Sequence, residues 1–411
     1  MIAMSLYATE VNQLTAAWLR RTEGAGVLSG AGLWPLLAVL ASSADEPGRD
    51  ELAAAVGLSA DESMDAARDV LKALADLDGV DAALGLWAQQ AAQVRPEWRD
   101  TLPSGTFGEL TGDAAVDQPV LDAWARERTH GLIERFPVQA GPELMLTLAT
   151  ALALRTTWQR KFSDEPWQVS GGVWAGRRLA GLQRTTPDAD DLRVADSAAG
   201  PLTLTRVAGD NGLDVHLVLG EEGAASGDVL AAAVPLVAGD AAVTGGAALL
   251  ESGDVARWPG VSTVSAQRPG LVLRTARFTV RSLHDLLRQA DVFGLRAVST
   301  GDRDHFPAIG PVPLRVDQAR QAAVAIFSAT GFEAAAVTAI GLRAVSMPVY
   351  RAQAVAVSYD RPFGFLAVHR ESGLVLFAGW VDSPEDWSGA SQRERPQPGA
   401  MRDRLPRHPA Q

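Results

Sequence analysis

Hydrophobic residues at helical spacing dominate the first third of the chain. Residues 33–44 are apolar on nearly every side, which predicts a buried helix. Residues 45–77 predict two further helices, because Gly57 is a typical end of the first and Ser59 or Asp61 a typical start of the second. Another helix near the start of the chain is indicated by four apolar residues at helical spacing, namely Val11, Leu14, Trp18 and Leu19.

The pattern changes to strands from about residue 80 onward. Residues 81–90 predict a strand, and the uncapped apolar run 144–158 predicts a central buried strand. Between them, residues 119–136 return to helical spacing, and Gly131 lies near the end of that helix. Further strand-like runs are 202–209, 213–220, 354–360, 363–370 and 373–381.

The C-terminal part of the chain predicts specific local structures. Residues 271–295 predict a strand followed by a helix, and Glu371–Gly373 predicts the tight turn of a hairpin. After Trp387 the sequence is polar and rich in proline, so we expect disorder there. Because no repeat or linker interrupts the rest, we predict one domain over residues 1–385 and a disordered tail over residues 386–411.

The composition is that of a folded protein with an acidic balance. Hydrophobic residues make up 47% of the 411 residues and charged residues 21%, which is enough for a large core. The formal net charge of −12 argues against nucleic acid or an anionic membrane as a partner, because both are bound through basic patches. The sequence has no cysteine, so disulfides, thiolate catalysis and cysteine-ligated zinc are excluded.

The N-terminal residues and the longest apolar runs indicate whether the protein is secreted, membrane-bound or cytoplasmic. Residues 1–24 lack a basic leader, and polar residues interrupt their apolar positions, so we do not expect a secretory signal. No apolar run approaches the roughly 20 residues that cross a bilayer. We therefore expect a cytoplasmic protein without a membrane partner, and action outside the cell stays an open alternative.

Motifs of common enzymes are missing from the sequence. No serine lies in a G-x-S-x-G pattern, and neither Lys72 nor Lys161 lies in a phosphate-binding loop pattern. His305 lies beside Asp302 and Asp304, as a metal ligand would, but we interpret this segment as a solvated loop. We therefore predict that the protein is not an enzyme and uses no metal or cofactor.

Four segments of the chain resemble motifs of the serpin family, in the family's order and over roughly residues 8–385. The chain is identified on this basis as a divergent, bacterial-type member of that family. The residues that carry the resemblance are Trp124, Thr129, Gly131 and Ile133 in a helix, Trp158 and Phe162 after the central strand, Arg277 and Phe278 in a later strand, and Pro362, Phe363, Phe365, Gly373, Phe377 and Gly379 in the C-terminal strands.

The resemblance implies both a fold and an activity. The fold would be α+β, with three β-sheets, about eight or nine helices and an exposed reactive-centre loop. The activity would be inhibition of a serine protease by a suicide-substrate mechanism. The protease cuts the loop and forms an acyl-enzyme, and the cut loop then adds a strand to the main sheet, as serpin loops are known to do.

The resemblance places the reactive-centre loop at about residues 329–350. The family's spacing puts the reactive bond at Val345–Ser346, and a shifted register would put it at Arg343–Ala344. Val345 favours an elastase-like or subtilisin-like protease, whereas Arg343 would suit a trypsin-like one. The hinge of the loop would be Gly331, Phe332, Glu333, Ala334, Ala335, Ala336, Val337 and Thr338.

Alternation within this segment agrees with insertion as a strand. A half-buried strand places every second side chain on its core face. Both charged residues of the segment, Glu333 and Arg343, fall on the face opposite Phe332. The face that includes Phe332 carries one polar residue and consists of Phe332, Ala334, Ala336, Thr338, Ile340, Leu342 and Ala344.

Several positions depart from the family pattern. Phe332 stands where the family has Thr or Ser, and its size would slow insertion, which gives the protease time to deacylate. Ala329 replaces an expected acidic residue. In the sheet-opening region, where strands must part, the corresponding residues are Ser29, Gly32, Thr150 and Gln321, and of these Ser29 keeps the expected type. The alternative is a non-inhibitory serpin-like binding protein whose loop is cleaved but does not insert. We expect a monomer in both cases.

Overall fold

The computed structural model describes residues 2–103, 106–332 and 352–388, with side chains from Tyr7 onward. The architecture is α+β, as predicted. The α-helices in these ranges are α1 (Ile2–Leu19), α2 (Gly30–Ser43), α3 (Gly48–Val56), α4 (Ala60–Ala75), α5 (Pro96–Arg99), α6 (Ala114–Arg128), α7 (Ser226–Ala238) and α8 (Gly246–Ser252).

The β-strands of the same ranges alternate with these helices in the first half of the chain and dominate the second half. They are β1 (Gly26–Leu28), β2 (Val80–Gln89), β3 (Phe107–Leu110), β4 (Leu146–Leu154), β5 (Thr156–Thr157), β6 (Ser163–Gln168), β7 (Arg178–Thr186), β8 (Leu192–Ser197), β9 (Gly200–Ala208), β10 (Leu213–Leu219), β11 (Thr244–Gly245), β12 (Val261–Ala266), β13 (Leu271–Ala276), β14 (Phe278–Asp285), β15 (Arg320–Phe327), β16 (Gly331–Phe332), β17 (Ala352–Ser358), β18 (Phe363–His369) and β19 (Val375–Val381).

The described strands form four sheets, whereas the resemblance implied three. Their orders are β1-β19-β18-β10-β9-β8-β11, β12-β17-β13-β7-β6, β14-β15-β16-β5 and β3-β2-β4. The last two sheets are parts of one layer, because β5 follows β4 after the single residue Arg155 and β16 links β5 to β15. The count differs because this layer is divided below β16.

The core lies between α2 and the sheets that surround it. The predicted buried helix is confirmed as α2, in which most residues are buried. Strands β10 and β19 of the seven-stranded sheet are buried along their whole length. Continuous apolar runs of this kind are expected where both faces of a sheet are covered. None of the helices in the described ranges is both long enough and apolar enough to cross a membrane.

Most of the predicted local structures are confirmed. Helix α3 ends at Gly57, whose φ of 79° is left-handed, and α4 begins after Ser59. Gly373, with φ 67°, lies in the turn between the last two strands. The helix predicted at the end of residues 271–295 is wrong. Two strands of different sheets, β13 and β14, are followed there by a 3-10 turn, and short apolar runs do not separate these alternatives.

Candidate functional site

The predicted hinge begins as a short strand within the divided layer. In β16, Phe332 pairs with Phe327 of β15 on one side and with Thr156 of β5 on the other. Both pairings are antiparallel. The chain therefore leaves β15 through a tight turn and runs back between β15 and β5, in the position that an added strand would take.

Gly331 fits this position because the backbones approach closely. A Cβ atom on Gly331 would lie 2.4 Å from the carbonyl oxygen of Thr156. The preceding turn is fixed by Ser328, whose backbone N–H donates to the carbonyl of Gly331 over 2.9 Å. From the other side, the indole N–H of Trp158 donates to the carbonyl of Ser328 over 2.9 Å. Residue 331 is therefore glycine because a larger side chain would collide with the backbone of β5.

Phe332 anchors the hinge in the core. Its side chain is 3% exposed, and its ring centroid lies 5.9 Å from that of Phe365 on β18. The ring of Phe278 lies 5.1 Å from Phe365 and stacks on Phe327 at 5.1 Å. Phe332 thus joins an aromatic cluster that reaches from the hinge to the seven-stranded sheet. The side chain points inward, as the alternation of the sequence predicts for this face.

A cleft lies below the hinge, between β4 and β15. In the described part of the chain, β4 pairs with β2 and β15 pairs with β14 and β16, and the edges that β4 and β15 turn toward each other carry no strand below Phe332. A cavity of about 300 Å³ occupies this space. It is lined from both sides by β4 and by β15 together with the residues just before β15.

Two segments cover the cleft. Helix α2 forms one cover, with Leu33 and Leu37 among the apolar lining residues. The connection between α6 and β4, residues 129–145, forms the other. This connection is held to the start of β15 by a two-way amide pair. The backbone N–H of Gln139 donates to Oε1 of Gln318, and Nε2 of Gln318 donates to the carbonyl of Gln139, both over 3.2 Å.

The residues predicted to form the sheet-opening region meet at the N-terminus of α2. Ser29 is the cap of this helix, and its hydroxyl accepts the N–H of Gly32 over 2.9 Å and donates to the carbonyl of Leu376 over 2.6 Å. Gln321 on β15 bonds to the backbone of Ser29 in both directions, over 2.8 and 2.9 Å. From the opposite side, the hydroxyl of Thr150 on β4 donates to the carbonyl of Gly32. The network therefore reaches from one wall of the cleft to the other.

An ionic cluster lies at the upper end of β4. Asp81 on β2 accepts from Nε2 of His130 over 2.8 Å and from Nη2 of Arg155 over 3.3 Å. His130 follows α6 and has a left-handed backbone with φ 52°. Partial burial raises the pKa of Asp81, but its bonds to His130 and Arg155 outweigh this and hold the pKa below its ordinary value. The cluster fastens the end of the connection that covers the cleft.

The strand after the predicted loop was identified from sequence, but its surroundings were not. Strand β17 is held between β12, which is antiparallel to it, and β13, which is parallel to it. Strand β12 was not predicted from the sequence. The short run of Val, Ser and Thr at residues 261–266 alternates weakly, and it was the only signal available.

Several predicted residues lie outside the described ranges, and one interpretation is wrong. The hinge residues 333–338 and both candidate reactive bonds, Arg343–Ala344 and Val345–Ser346, belong to the undescribed segment. His305 is not solvated. It is 1% exposed, and its Nε2 lies 3.1 Å from the hydroxyl of Thr300. Among the described residues, no group of three or more His, Asp or Glu could hold a metal ion.

Comparison with known proteins agrees on one family. Residues 253–384 match the family model described as serpin (serine protease inhibitor). Serpin-Z6C of Oryza sativa subsp. japonica is 24% identical over 421 aligned residues, which cover 93% of this chain and 96% of that protein.

Two solved structures show the same fold. Cleaved Serpin 42Da gives a TM-score of 0.69 at 17% identity, and the match covers 94% of this chain and 99% of that chain. Human thyroxine-binding globulin gives 0.67 at 16% identity, with 93% and 100% covered.

Proposed function

We propose that this chain, whose residues 253–384 match the serpin family model and whose fold is that of solved serpins, inhibits a serine protease as a suicide substrate. The observation that carries the proposal is the position of β16. Its two residues already lie between β15 and β5, at the head of a cleft whose walls are not joined by a strand in the described part of the chain.

The register of β16 suggests where the following residues would go. Extending both pairings of Phe332 puts Glu333 beside Arg155, and puts Thr338 between Thr150 and Gln321. A carboxylate would thus meet a guanidinium, and a hydroxyl would meet the polar network of the cleft wall. Both the ionic pair and the polar contact favour this register. A shift by one residue would lose them and would turn every side chain of the strand to the opposite face.

The small side chains of the segment suit the space between the two covers. Ala334 and Ala336 would share the inward face with Phe332, above the apolar side chains of α2. Alanine loses no side-chain rotamer entropy when it is ordered, so a strand rich in alanine is inserted at low entropic cost. The cavity has an apolar part of its lining against which Ile340 and Leu342 would be buried.

The chemistry of inhibition follows that of an ordinary serine protease until the acyl-enzyme forms. The protease serine attacks the carbonyl carbon of Val345, the bond to Ser346 breaks, and the new amine leaves on Ser346. Val345 is then joined to the protease by an ester, which water would normally hydrolyse. Insertion of residues 333 onward carries that ester along the cleft and pulls the protease against this protein before hydrolysis. Cleavage at Arg343–Ala344 would give the same sequence of steps with a trypsin-like protease.

A denaturing gel tests this proposal. The full chain is incubated with pancreatic elastase, with subtilisin and with trypsin, and each mixture is run after boiling in detergent. We expect a band at the combined mass of one protease and residues 1–345, because the ester survives denaturation while the cleaved C-terminal peptide is released. Clean cleavage with every protease, without such a band, would refute the inhibitory function.

The second candidate is a binding protein whose cut loop does not insert. It is favoured by Phe332, whose ring packs against Phe365 and so already holds the hinge, and by a cavity lined largely by apolar residues. A protein of the same fold, thyroxine-binding globulin, is described in complex with thyroxine. Melting temperatures before and after loop cleavage separate the candidates. A marked rise on cleavage supports insertion, and an unchanged value supports the binding protein.

The extent of the folded domain is also a proposal. We propose one domain that begins near the N-terminus and extends slightly past residue 385. Asp386 pairs with Arg177 over 2.9 Å, and the backbone N–H of Trp387 donates to the carbonyl of Arg178 over 2.8 Å. The expectations of a monomer and of a cytoplasmic site of action stay predictions.

A further inference from the structure

The cavity between β4 and β15 is long and narrow. Residues 145–152, eight in succession, line it along β4 and the approach to β4, which corresponds to about 23 Å of extended strand. A volume of about 300 Å³ spread over that length has room for a single chain of atoms rather than for a wide ring system. This volume is also at the lower end of the range that small-molecule sites occupy. The shape is therefore that of a site for an elongated small molecule.

The charged residues of the lining lie at one end of the cavity. Strands β4 and β15 begin at the same end, because β16 is antiparallel both to β15 and to β5, which continues β4. The lining at that end includes Glu143 before β4, and Arg315, Asp317 and Arg320 before and at the start of β15. Glu143, Arg315 and Asp317 are exposed, so this end of the cavity opens to water. A bound molecule would keep its polar group there.

Arg320 is a half-buried cation without a carboxylate partner in the described part of the chain. Its side chain donates one hydrogen bond to a described residue, from Nη1 to the carbonyl of Pro137 over 3.4 Å, although a guanidinium has five N–H donors. Arg315, by contrast, pairs with Asp317 over 3.3 Å. The guanidinium of Arg320 can therefore take a carboxylate, which accepts two parallel hydrogen bonds from such a group.

Arg320 lies on the same face of the sheet as an apolar part of the lining. Gln321, the next residue, points toward α2, so alternation along β15 directs Arg320 to the opposite face, under the connection between α6 and β4. Phe136 and Val138, on either side of Pro137 in that connection, are buried. The apolar residues of this part of the lining are Trp124, Ile133, Phe136, Val138, Ala149 and Ala322.

We propose that this cavity binds an amphiphile that has one alkyl chain and a carboxylate head. The carboxylate accepts hydrogen bonds from the guanidinium of Arg320, and the alkyl chain lies against the apolar residues under the connection between α6 and β4. Each methylene that is transferred from water to such a surface strengthens binding about fourfold. The charge of the head and the length of the chain should therefore both determine affinity.

A consequence for inhibition rests on the proposed function. The bound amphiphile would fill the space between β4 and β15, which the inserted strand needs. Insertion would then be slower while hydrolysis of the acyl-enzyme continues at its own rate. A carboxylate amphiphile would thus convert this protein from an inhibitor toward an ordinary substrate of the protease.

Two arginines of the lining supply a matched pair of variants. Arg320→Gln removes the proposed partner of the carboxylate. Arg315→Gln changes the net charge by the same amount at the same end of the cavity, but the arginine that it removes is already paired with Asp317. A third variant, Ala322→Phe, fills the cavity on the face of Arg320 and removes no charge.

Isothermal titration of the uncut full-length protein tests the site with octanoate, decanoate, decanol and decyltrimethylammonium. We expect one decanoate per chain, bound about fifteenfold more tightly than octanoate because two more methylenes are buried. Decanol and the cation should bind at least about tenfold more weakly than decanoate. Arg320→Gln should weaken decanoate about tenfold and leave decanol unchanged, whereas Arg315→Gln should bind both as the wild type does. Ala322→Phe should lose both ligands.

Three results would overturn the site. They are equal affinity of the wild type and Arg320→Gln for decanoate, uptake of several decanoate molecules without saturation, and unchanged binding in Ala322→Phe. If Arg320→Gln does not fold, the ligand series on the wild type decides, and decanol that binds as tightly as decanoate rules out a carboxylate site.

A second measurement separates this site from the proposed function. The covalent complex with pancreatic elastase is followed on a denaturing gel with and without decanoate. We expect decanoate to reduce the complex and increase the cleaved chain for the wild type but not for Arg320→Gln, a difference that excludes an action of decanoate on elastase itself. Equal gels for both would overturn the effect on insertion.

The two proposals can fail independently. If decanoate binds as expected but no protease forms a covalent complex, the inhibitory function fails and the site stands. If the complex forms and decanoate does not bind, the site fails and the inhibitory function stands.

Discussion

The backbone of Ser29 and the side-chain amide of Gln321 form a two-way hydrogen-bonded pair across 292 positions of sequence. Ser29 N–H donates to Oε1 of Gln321 over 2.8 Å, and Nε2 of Gln321 donates back to the carbonyl of Ser29 over 2.9 Å. The pair fixes β15 to the N-terminus of α2. It therefore sets the position of one wall of the cleft.

Removal of this amide should destabilise the uncut protein. Gln321→Ala leaves the N–H and carbonyl of a buried helix cap without this partner, and we expect a loss of about 1–3 kcal/mol in the free energy of unfolding. Gln318→Ala is the matched control, because it removes an amide pair that is exposed to solvent. Denaturant unfolding measures both. If the two variants lose the same free energy of unfolding, the buried pair with Ser29 stabilises the protein no more than the exposed pair does.

Phe332 should behave as a core residue. Its side chain is almost fully buried, so Phe332→Ala should lower the free energy of unfolding by about 3–5 kcal/mol, as other Phe-to-Ala changes in cores do. Leu283→Ala on β14 is the control, because Leu283 is 64% exposed and its loss should cost less than about 0.5 kcal/mol. A small effect at Phe332 would mean that the hinge lies outside the sheet in solution.

The residue before the reactive bond should decide which protease is trapped. If the bond is Val345–Ser346, Val345→Arg should move complex formation from elastase to trypsin, and Arg343→Ala should leave the elastase complex unchanged. Mass spectrometry of the released C-terminal peptide identifies the bond, since that peptide begins at Ser346. A peptide that begins at Ala344 would instead assign the alternative bond and reverse the effects of the two variants.

His216 should make the protein less stable in mild acid. Burial on β10 is the main cause that lowers its pKa to about 4, and the nearby Asp214 offsets part of that effect. The folded-state pKa lies below the value of about 6.5 expected in the unfolded chain. The stability that depends on neutral His216 is therefore complete above pH 6.5 and is lost as the pH falls toward 4.

The size of this acid effect can be measured by denaturant unfolding at pH 7 and pH 5. His216 should contribute a loss of about 2 kcal/mol over that interval, and His216→Gln should remove that part of the slope. The remaining slope would then include His284 and His369, whose pKa values are also lowered by burial. An unchanged slope in the variant would show that His216 is solvated.

Much of the fold could be predicted from the sequence because its signals are local. Gly57 ends α3 through its own left-handed backbone, Gly373 does the same in the last hairpin, and the apolar run of α2 specifies burial. The two wrong predictions arose because short stretches of sequence were read without their tertiary surroundings. The run after β14 was too short to separate a helix from a 3-10 turn, and the polar neighbours of His305 concealed a buried side chain.

The candidate site was predicted in part, and by resemblance rather than by pattern. The sequence, compared with a family, identified Ser29, Thr150 and Gln321, but it did not show that Gln321 bonds to the backbone of Ser29. It also did not reveal that β12 pairs with β17, because β12 carries a weak strand signal and β17 lies about ninety residues away along the chain. Pairing between distant strands depends on which edges the rest of the fold leaves exposed.

By itself, the sequence determined the helices, the strands, the turn glycines and the alternation that makes one face of residues 332–344 apolar. These follow from side-chain size and backbone preference within a few neighbouring residues. The tertiary structure decided where the hinge lies, that the walls of the cleft stand apart below it, and that β17 pairs with both β12 and β13. Those features depend on contacts between segments far apart in the chain, and their geometry is set only when the whole core has packed.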